Sequence, residues 1–166
     1  MGDHGIIGTA EGAFDESFRV PLLFYSENSY FQENFVGRYD PGLLTANIDI
    51  LPTLLDFLHI PNNQTTSPHE GQSLLRKISP ERPLYMTSNP WSAHSQIYIQ
   101  GGMKLRVDVR SGDTKLFNLT ADPKERHEIT TDDITAEQMK WAYDAYENVQ
   151  RLSNEVDRKF GPIVAK

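Results

Sequence analysis

The sequence contains no cysteine. That excludes a disulfide framework, a thiolate-ligated zinc or iron–sulfur centre and a cysteine nucleophile within these residues. Basic charge is also scarce: 16 Lys and Arg stand against 23 Asp and Glu, a formal net charge of −7. A broad positive footprint for nucleic acid or an anionic membrane surface is therefore not expected. Long apolar runs are missing too. The longest, Val20 to Tyr25, is the size of a strand and far short of the roughly 20 residues of a membrane span, so no membrane segment is expected in this chain. There is no internal repeat and no low-complexity tract. The opening Met1-Gly2-Asp3-His4-Gly5 lacks the basic and apolar regions of a signal peptide. It reads as a turn whose preceding element has been cut away, which suggests a fragment.

What is present is an ordinary globular composition, with 38% hydrophobic, 10% aromatic and 23% charged residues. A length of 166 residues suits one domain or two small lobes. Residues 5–19 are small and polar and suit a loop leading into Arg19-Val20-Pro21-Leu22-Leu23-Phe24-Tyr25. That uninterrupted apolar run predicts a strand buried on both faces of a parallel sheet, with Pro21 tolerated near its start. A long surface connection over residues 26–46 precedes a helix from about Asp49. Ile48, Leu51, Leu54, Leu55 and Leu58 make its apolar stripe, Pro52 lies in the first turn, and His59-Ile60-Pro61 ends it. Residues 62–71 have no periodicity and read as a loop.

From about residue 82 the pattern shortens to strands: Leu84–Thr87, then Gln96–Gln100 joined by Gly101-Gly102 to Met103–Val109, then a turn at Ser111-Gly112-Asp113 into Lys115–Leu119. Met103, Leu105, Val107 and Val109 alternate with Lys104, Arg106 and Asp108, which predicts an antiparallel meander with one buried and one wet face. The final helix is the clearest element. Thr135-x-x-Gln138 forms a capping box, Ile134 and Met139 stand at staple positions, and Met139, Tyr143, Tyr146, Val149, Leu152, Val156 and Phe160 make a stripe expected to pack across the meander.

For chemistry, Asp3-His4 pairs a hard carboxylate with an imidazole on a glycine-flanked turn, two donors suited to a divalent cation. A hydrogen-bonded turn is the plainer reading of the pair taken alone, and two donors are fewer than a stable site needs. His59, placed to meet terminal carbonyls, is read as a helix end, His69, His94 and His127 as solvated, and Arg19 as a structural donor beneath its strand. Of these, His94 is the one placed to line a cleft between lobes. Tyr143 and Tyr146 are read as core residues. Asn63-Gln64-Thr65 and Asn118-Leu119-Thr120 match the glycosylation sequon, a frequent chance pattern.

The ordered series Gly2-Asp3-His4-Gly5, Glu16-Ser17-Phe18-Arg19-Val20-Pro21-Leu22-Leu23, Asn47 to Leu58, Gly71-Gln72-Ser73-Leu74-Leu75, Gly102-Met103-Lys104-Leu105 and Lys115 to Glu125 resembles the C-terminal half of the sulfatase family, in the alkaline-phosphatase-like superfamily. The likeness spans about residues 2–130. It implies an α/β class, with residues 1–80 as the C-terminal portion of the catalytic α/β domain and residues 81–166 as a small antiparallel sheet packed on a C-terminal helix. It also implies a metal-dependent hydrolase of sulfate esters in which Asp3 and His4 are metal ligands, with Ca²⁺ the expected ion and Mn²⁺, Mg²⁺ or Zn²⁺ as alternatives, and a periplasmic or extracellular setting. The family's nucleophile and first acidic ligands lie N-terminal to such an Asp-His pair, so this chain alone is expected to be inactive. Ser88-Asn89-Pro90-Trp91-Ser92 has Ser92 where the nucleophile motif has Arg, and is not read as catalytic. Ala10 and Glu11 stand where the family often carries a sulfate-binding Lys. That departure leaves open a phosphoethanolamine or phosphoglycerol transferase acting on phosphate esters. A third reading is a non-catalytic assembly module that forms a homodimer through an exposed sheet edge.

Overall fold

A computed structural model describes residues 14–33, 43–61, 71–87 and 95–160. It divides the chain into two compact units, one of residues 21–84 and one combining the chain up to Val20 with the chain from Tyr85.

The sheet has the order β1-β2-β3-β4, from β1 (Leu84–Thr87), β2 (Ser95–Gln100), β3 (Met103–Asp108) and β4 (Thr114–Asn118). β2 and β4 both run antiparallel to β3, with Tyr98 opposite Leu105 and Leu105 opposite Leu116. The β2–β3 turn is the expected diglycine hairpin: Gly101 and Gly102 take φ of 57° and 77°, a left-handed pair that L side chains resist. A second demand falls on Gly102, because a Cβ there would lie 2.3 Å from Thr120 Oγ1. The β3–β4 turn uses Gly112 at φ 78°, and the Asp108 carboxylate accepts the amides of Arg110 and Ser111 at 2.8 and 3.0 Å.

Tyr98, Leu105, Val107 and Leu116 turn one sheet face toward Ala145, Val149 and Leu152 of the long helix α4 (Ala136–Phe160). The helix starts as the capping box predicts: Gln138 N donates to Thr135 Oγ1 at 3.2 Å, and Thr135 N donates to Gln138 Oε1 at 2.9 Å. Gln96 Nε2 donates to Ser153 Oγ at 2.7 Å, a polar contact from β2 to the helix.

The helix does pack on the sheet through Val149 and Leu152 of the expected stripe, but the first part of that stripe does not face inward. Met139, Tyr143 and Tyr146 are exposed, Tyr143 by 64%, while Trp141, Ala142 and Ala145 pack inward ahead of Val149 and Leu152. Both stripes satisfy a period of 3.6 residues. The small Ala142 and Ala145 let the backbone approach the sheet, whereas bulky tyrosines would hold it away.

The expected wet face of the sheet is also corrected. Ile97, Ile99, Lys104 and Phe117 point away from α4 and are all buried. Phe14 covers part of this second face, with its ring 6.3 Å from that of Phe117 and 5.7 Å from the Arg106 guanidinium. Val109, expected inside, is exposed at the end of β3.

The other unit holds a three-residue turn α2 (Ser29–Phe31), a 3-10 turn at Asn47–Asp49 and helix α3 (Ile50–Phe57). Leu74, Leu75, Ile78 and Leu84 are buried there. The predicted strand over Val20–Tyr25 is absent: these residues are irregular, no described strand pairs with them, and Leu23 is 90% exposed. An apolar run becomes a doubly buried strand only between neighbours that accept its backbone groups. The α3 stripe is inverted as well. Ile48, Leu51, Leu54 and Leu58 face out, Leu51 by 62%, Leu55 is half-buried, and the residues fully enclosed are Asp49 and Thr53. No helix among the described residues is long and apolar enough to cross a membrane.

Candidate functional site

The two proposed metal ligands, Asp3 and His4, lie outside the described residues, as do Ala10, Glu11, His69, Ser88 to Ser92, Asn63 and His94. Among the described residues no group of three or more His, Asp or Glu side chains is placed to hold a metal ion. What the structure does show is how the motif segments meet, at two buried charge pairs.

The first pair is built on Asp49, which ends the 3-10 turn. Its Oδ2 accepts the Ala46 amide at 2.8 Å and its Oδ1 accepts the Gln72 amide at 2.8 Å. Arg82 donates from Nη1 to Oδ2 at 2.9 Å and from Nη2 to Oδ1 at 2.7 Å. Both side chains are sealed, with exposures of 2% and 0%. Four acceptor sites meet four donors, so Asp49 has no lone pair left for a metal or a transferred proton. Thr53, one turn further, donates its hydroxyl to the Asp49 carbonyl at 2.6 Å and accepts the Leu74 amide at 2.9 Å. Gly71 makes the approach possible, because a Cβ there would lie 1.8 Å from the Ile48 carbonyl oxygen. The Asn47–Thr53 and Gly71–Leu75 segments are therefore each other's hydrogen-bond partners.

The second pair joins Lys104 of β3 to Glu125, with side-chain exposures of 1% and 0%. Lys104 Nζ donates to Glu125 Oε1, and Glu125 Oε2 accepts the Asp15 amide at 2.6 Å. Asp15 opens the one-turn helix α1 (Asp15–Phe18), so a carboxylate 110 residues away satisfies its first amide. Glu125 reaches inward through a left-handed backbone, φ 53°, a conformation that costs a non-glycine residue roughly 1 kcal/mol or more. The turn before it sets that path: Asp122 N donates to the Asn118 carbonyl and the Asp122 carboxylate accepts the His127 amide at 2.7 Å. That amide bond, foremost, holds the Asp122 carboxyl below its ordinary range. Burial pushes the Lys104 ammonium down from its usual value, and Glu125 opposes that effect.

The remaining sequence candidates carry no buried chemistry. Arg19 is exposed and pairs with Asp15 at 3.3 Å; it lies beneath no strand. His59 ends α3 with φ 54° and sets its exposed ring edge-on to Tyr30 at 5.4 Å. His127 is 86% exposed. Asn118 of the second sequon is half-buried, and its Oδ1 accepts the Thr120 and Ala121 amides.

No protein-family model matches the sequence, and no curated protein does. Solved structures that resemble the fold include the following two. One is a protein from Bacteroides thetaiotaomicron described as a candidate sulfatase, with a TM-score of 0.48 at 21% identity. The other is a 2-O GAG sulfatase, with a TM-score of 0.46 at 21% identity. Each alignment covers 70% of this chain and 26% of the neighbour, so the chain spans about a quarter of their length.

Sequence reasoning missed both charge pairs. A signal for the first lies in Asp49 and Thr53, polar residues four apart on the face opposite the leucine stripe. For the second, Lys104 sits between Met103 and Leu105 in a strand, where alternation assigns it to water. Its partner Glu125 and the Phe14 ring on the same face both come from outside the strand.

Proposed function

We propose that this chain is the C-terminal part of a metal-dependent, sulfatase-like hydrolase acting on sulfate esters. The observation that supports the reading is that the motif segments are mutual partners. Asn47–Thr53 closes on Gly71–Leu75 through Asp49 and Thr53, and Gly102–Leu105 closes on Asp122–Glu125 through Lys104. The latter pair also holds Asp15, the residue immediately before the Glu16–Leu23 segment. Residues that build one another's environment are expected to recur as a set, in order.

In this reading Asp3 and His4 supply two ligands to a divalent cation. Their chemistry suits the role, a carboxylate oxygen for Ca²⁺ and an imidazole nitrogen that Mn²⁺ or Zn²⁺ also accepts. Two donors fall short of the six to eight oxygen ligands typical of Ca²⁺, so the rest of the set comes from outside these residues. A bound cation would polarise the ester oxygens and lower the nucleophile's pKa. The described residues serve as scaffold: Asp49 and Arg82 lock the start of α3, and Lys104 and Glu125 hold the α1 segment on the sheet. With no cysteine present, a formylglycine made from cysteine must also come from elsewhere.

The reading predicts that the purified 166-residue chain hydrolyses neither aryl sulfates nor phosphodiesters with any of the four metals added. Robust turnover that Asp3→Ala abolishes would show that the chain carries a complete site. The reading frame upstream of Met1 gives a second check, since a Cys/Ser-x-Pro-x-Arg motif is expected there and a stop codon directly before Met1 would contradict the proposal.

A further inference from the structure

Lys104 and Glu125 form a fully enclosed ion pair in a small sheet that has no catalytic residue assigned to it. Two apolar side chains of similar volume would fill the same space at equal or greater stability, because burying two charges costs more desolvation than their attraction returns in most settings. What an apolar pair cannot do is accept a hydrogen bond. Glu125 uses one carboxylate oxygen for Lys104 and the other for the Asp15 amide, while Phe14 lies on Phe117 and against Arg106. The backbone amide of Asp15 and the ring of Phe14 thus dock side by side on the covered face of the sheet. No described strand pairs with the residues that follow, and Arg19 and Leu23 are exposed.

We propose that the Lys104–Glu125 pair is a clasp for residues 14–18, in which Glu125 fixes where that segment joins the sheet. The clasp follows from the geometry of Glu125.

Hydrogen exchange at single amides tests the clasp in the full chain, with the double variants K104M/E125L and K104M/E125Q compared with wild type. Both remove the charges and keep the volume, but only glutamine retains an oxygen that can accept the Asp15 amide. The clasp predicts that Asp15 exchanges about tenfold faster or more in the leucine variant, and within about threefold of wild type in the glutamine variant. Tryptic cleavage after Arg19 should accelerate in the same order. Leu105 and Val107 amides, inside the core, should keep their protection in both variants. Unchanged Asp15 protection in the leucine variant would overturn the clasp. Equal loss at Asp15, Leu105 and Val107 in both variants would also overturn it, in favour of simple core packing.

Discussion

Replacing Asp49 with alanine is the sharpest perturbation of the smaller unit. The substitution removes both acceptors of the Arg82 guanidinium, whose side chain is 2% exposed, and leaves the amides of Ala46 and Gln72 without their carboxylate. Arg82 Nε has no hydrogen-bond partner among the described residues. Breaking a buried pair by removing one partner costs about 3–5 kcal/mol, most of it the desolvation of the charge left behind. A domain's whole stability is on the order of 5–15 kcal/mol, so Asp49→Ala should remove about a fifth of it or more. Urea denaturation followed by far-UV circular dichroism measures the loss, and hydrogen exchange at Gln72 and Leu74 locates it. Asp49→Asn should fall between alanine and wild type, since it keeps the shape and one acceptor. The double change D49L/R82M should recover much of the loss, because no charge is then stranded. An Asp49→Ala protein within about 1 kcal/mol of wild type, with Gln72 still protected, would refute the reasoning.

Gly71→Ala places a methyl 1.8 Å from the Ile48 carbonyl oxygen, a backbone atom that cannot rotate aside. It should destabilise by about 1–3 kcal/mol or more and speed exchange at Gln72, whereas the same change at Gly112, whose surroundings are open, should show only the strain of its positive φ. Thr135→Ala removes half of the α4 capping box and should cost about 1 kcal/mol in thermal unfolding, with Thr135→Ser close to wild type. Amide bonds from Ser111 and Arg110 hold the Asp108 carboxyl below its ordinary 3.8. A carboxylate held low in the fold stabilises above the unfolded value and loses that contribution as pH falls through the lowered one. The melting temperature of Asp108→Asn should therefore decline less than wild type on the acid side, and parallel curves would count against the turn bonds.

Local chemistry was legible wherever the deciding partners lie a few residues apart. Gly101-Gly102 and Thr135-x-x-Gln138 carry their own geometry, and the hairpin and helix start form where those residues stand. The antiparallel pairing of β3 with its neighbours followed from the same signals. Periodicity specified that α3 and α4 are helices but left their orientation open. In α4 the alanines 142 and 145 decided the buried face, and in α3 a polar pair displaced a leucine stripe because Arg82 and the amides of residues 72 and 74 supply its partners. The Val20–Tyr25 run failed as a strand for the complementary reason. Its apolar side chains meet the requirement for burial, but its backbone groups need neighbours that no local pattern supplies. Lys104 belongs with these cases, since the charge that pairs with it in the interior, Glu125, is distant in sequence.

The role proposed for Asp3 and His4 is that of metal ligands in an ester hydrolase. Its most direct test is sulfate release from an aryl sulfate by the product of the complete reading frame, as wild type, Asp3→Ala and His4→Ala, with calcium titrated in each. Loss of a partner that merely orients a metal ligand lowers affinity or activity by about 10–100-fold, so loss of a ligand itself should lower kcat/KM by at least about 100-fold, with a higher calcium requirement. Wild-type activity and calcium dependence in both variants would contradict the account.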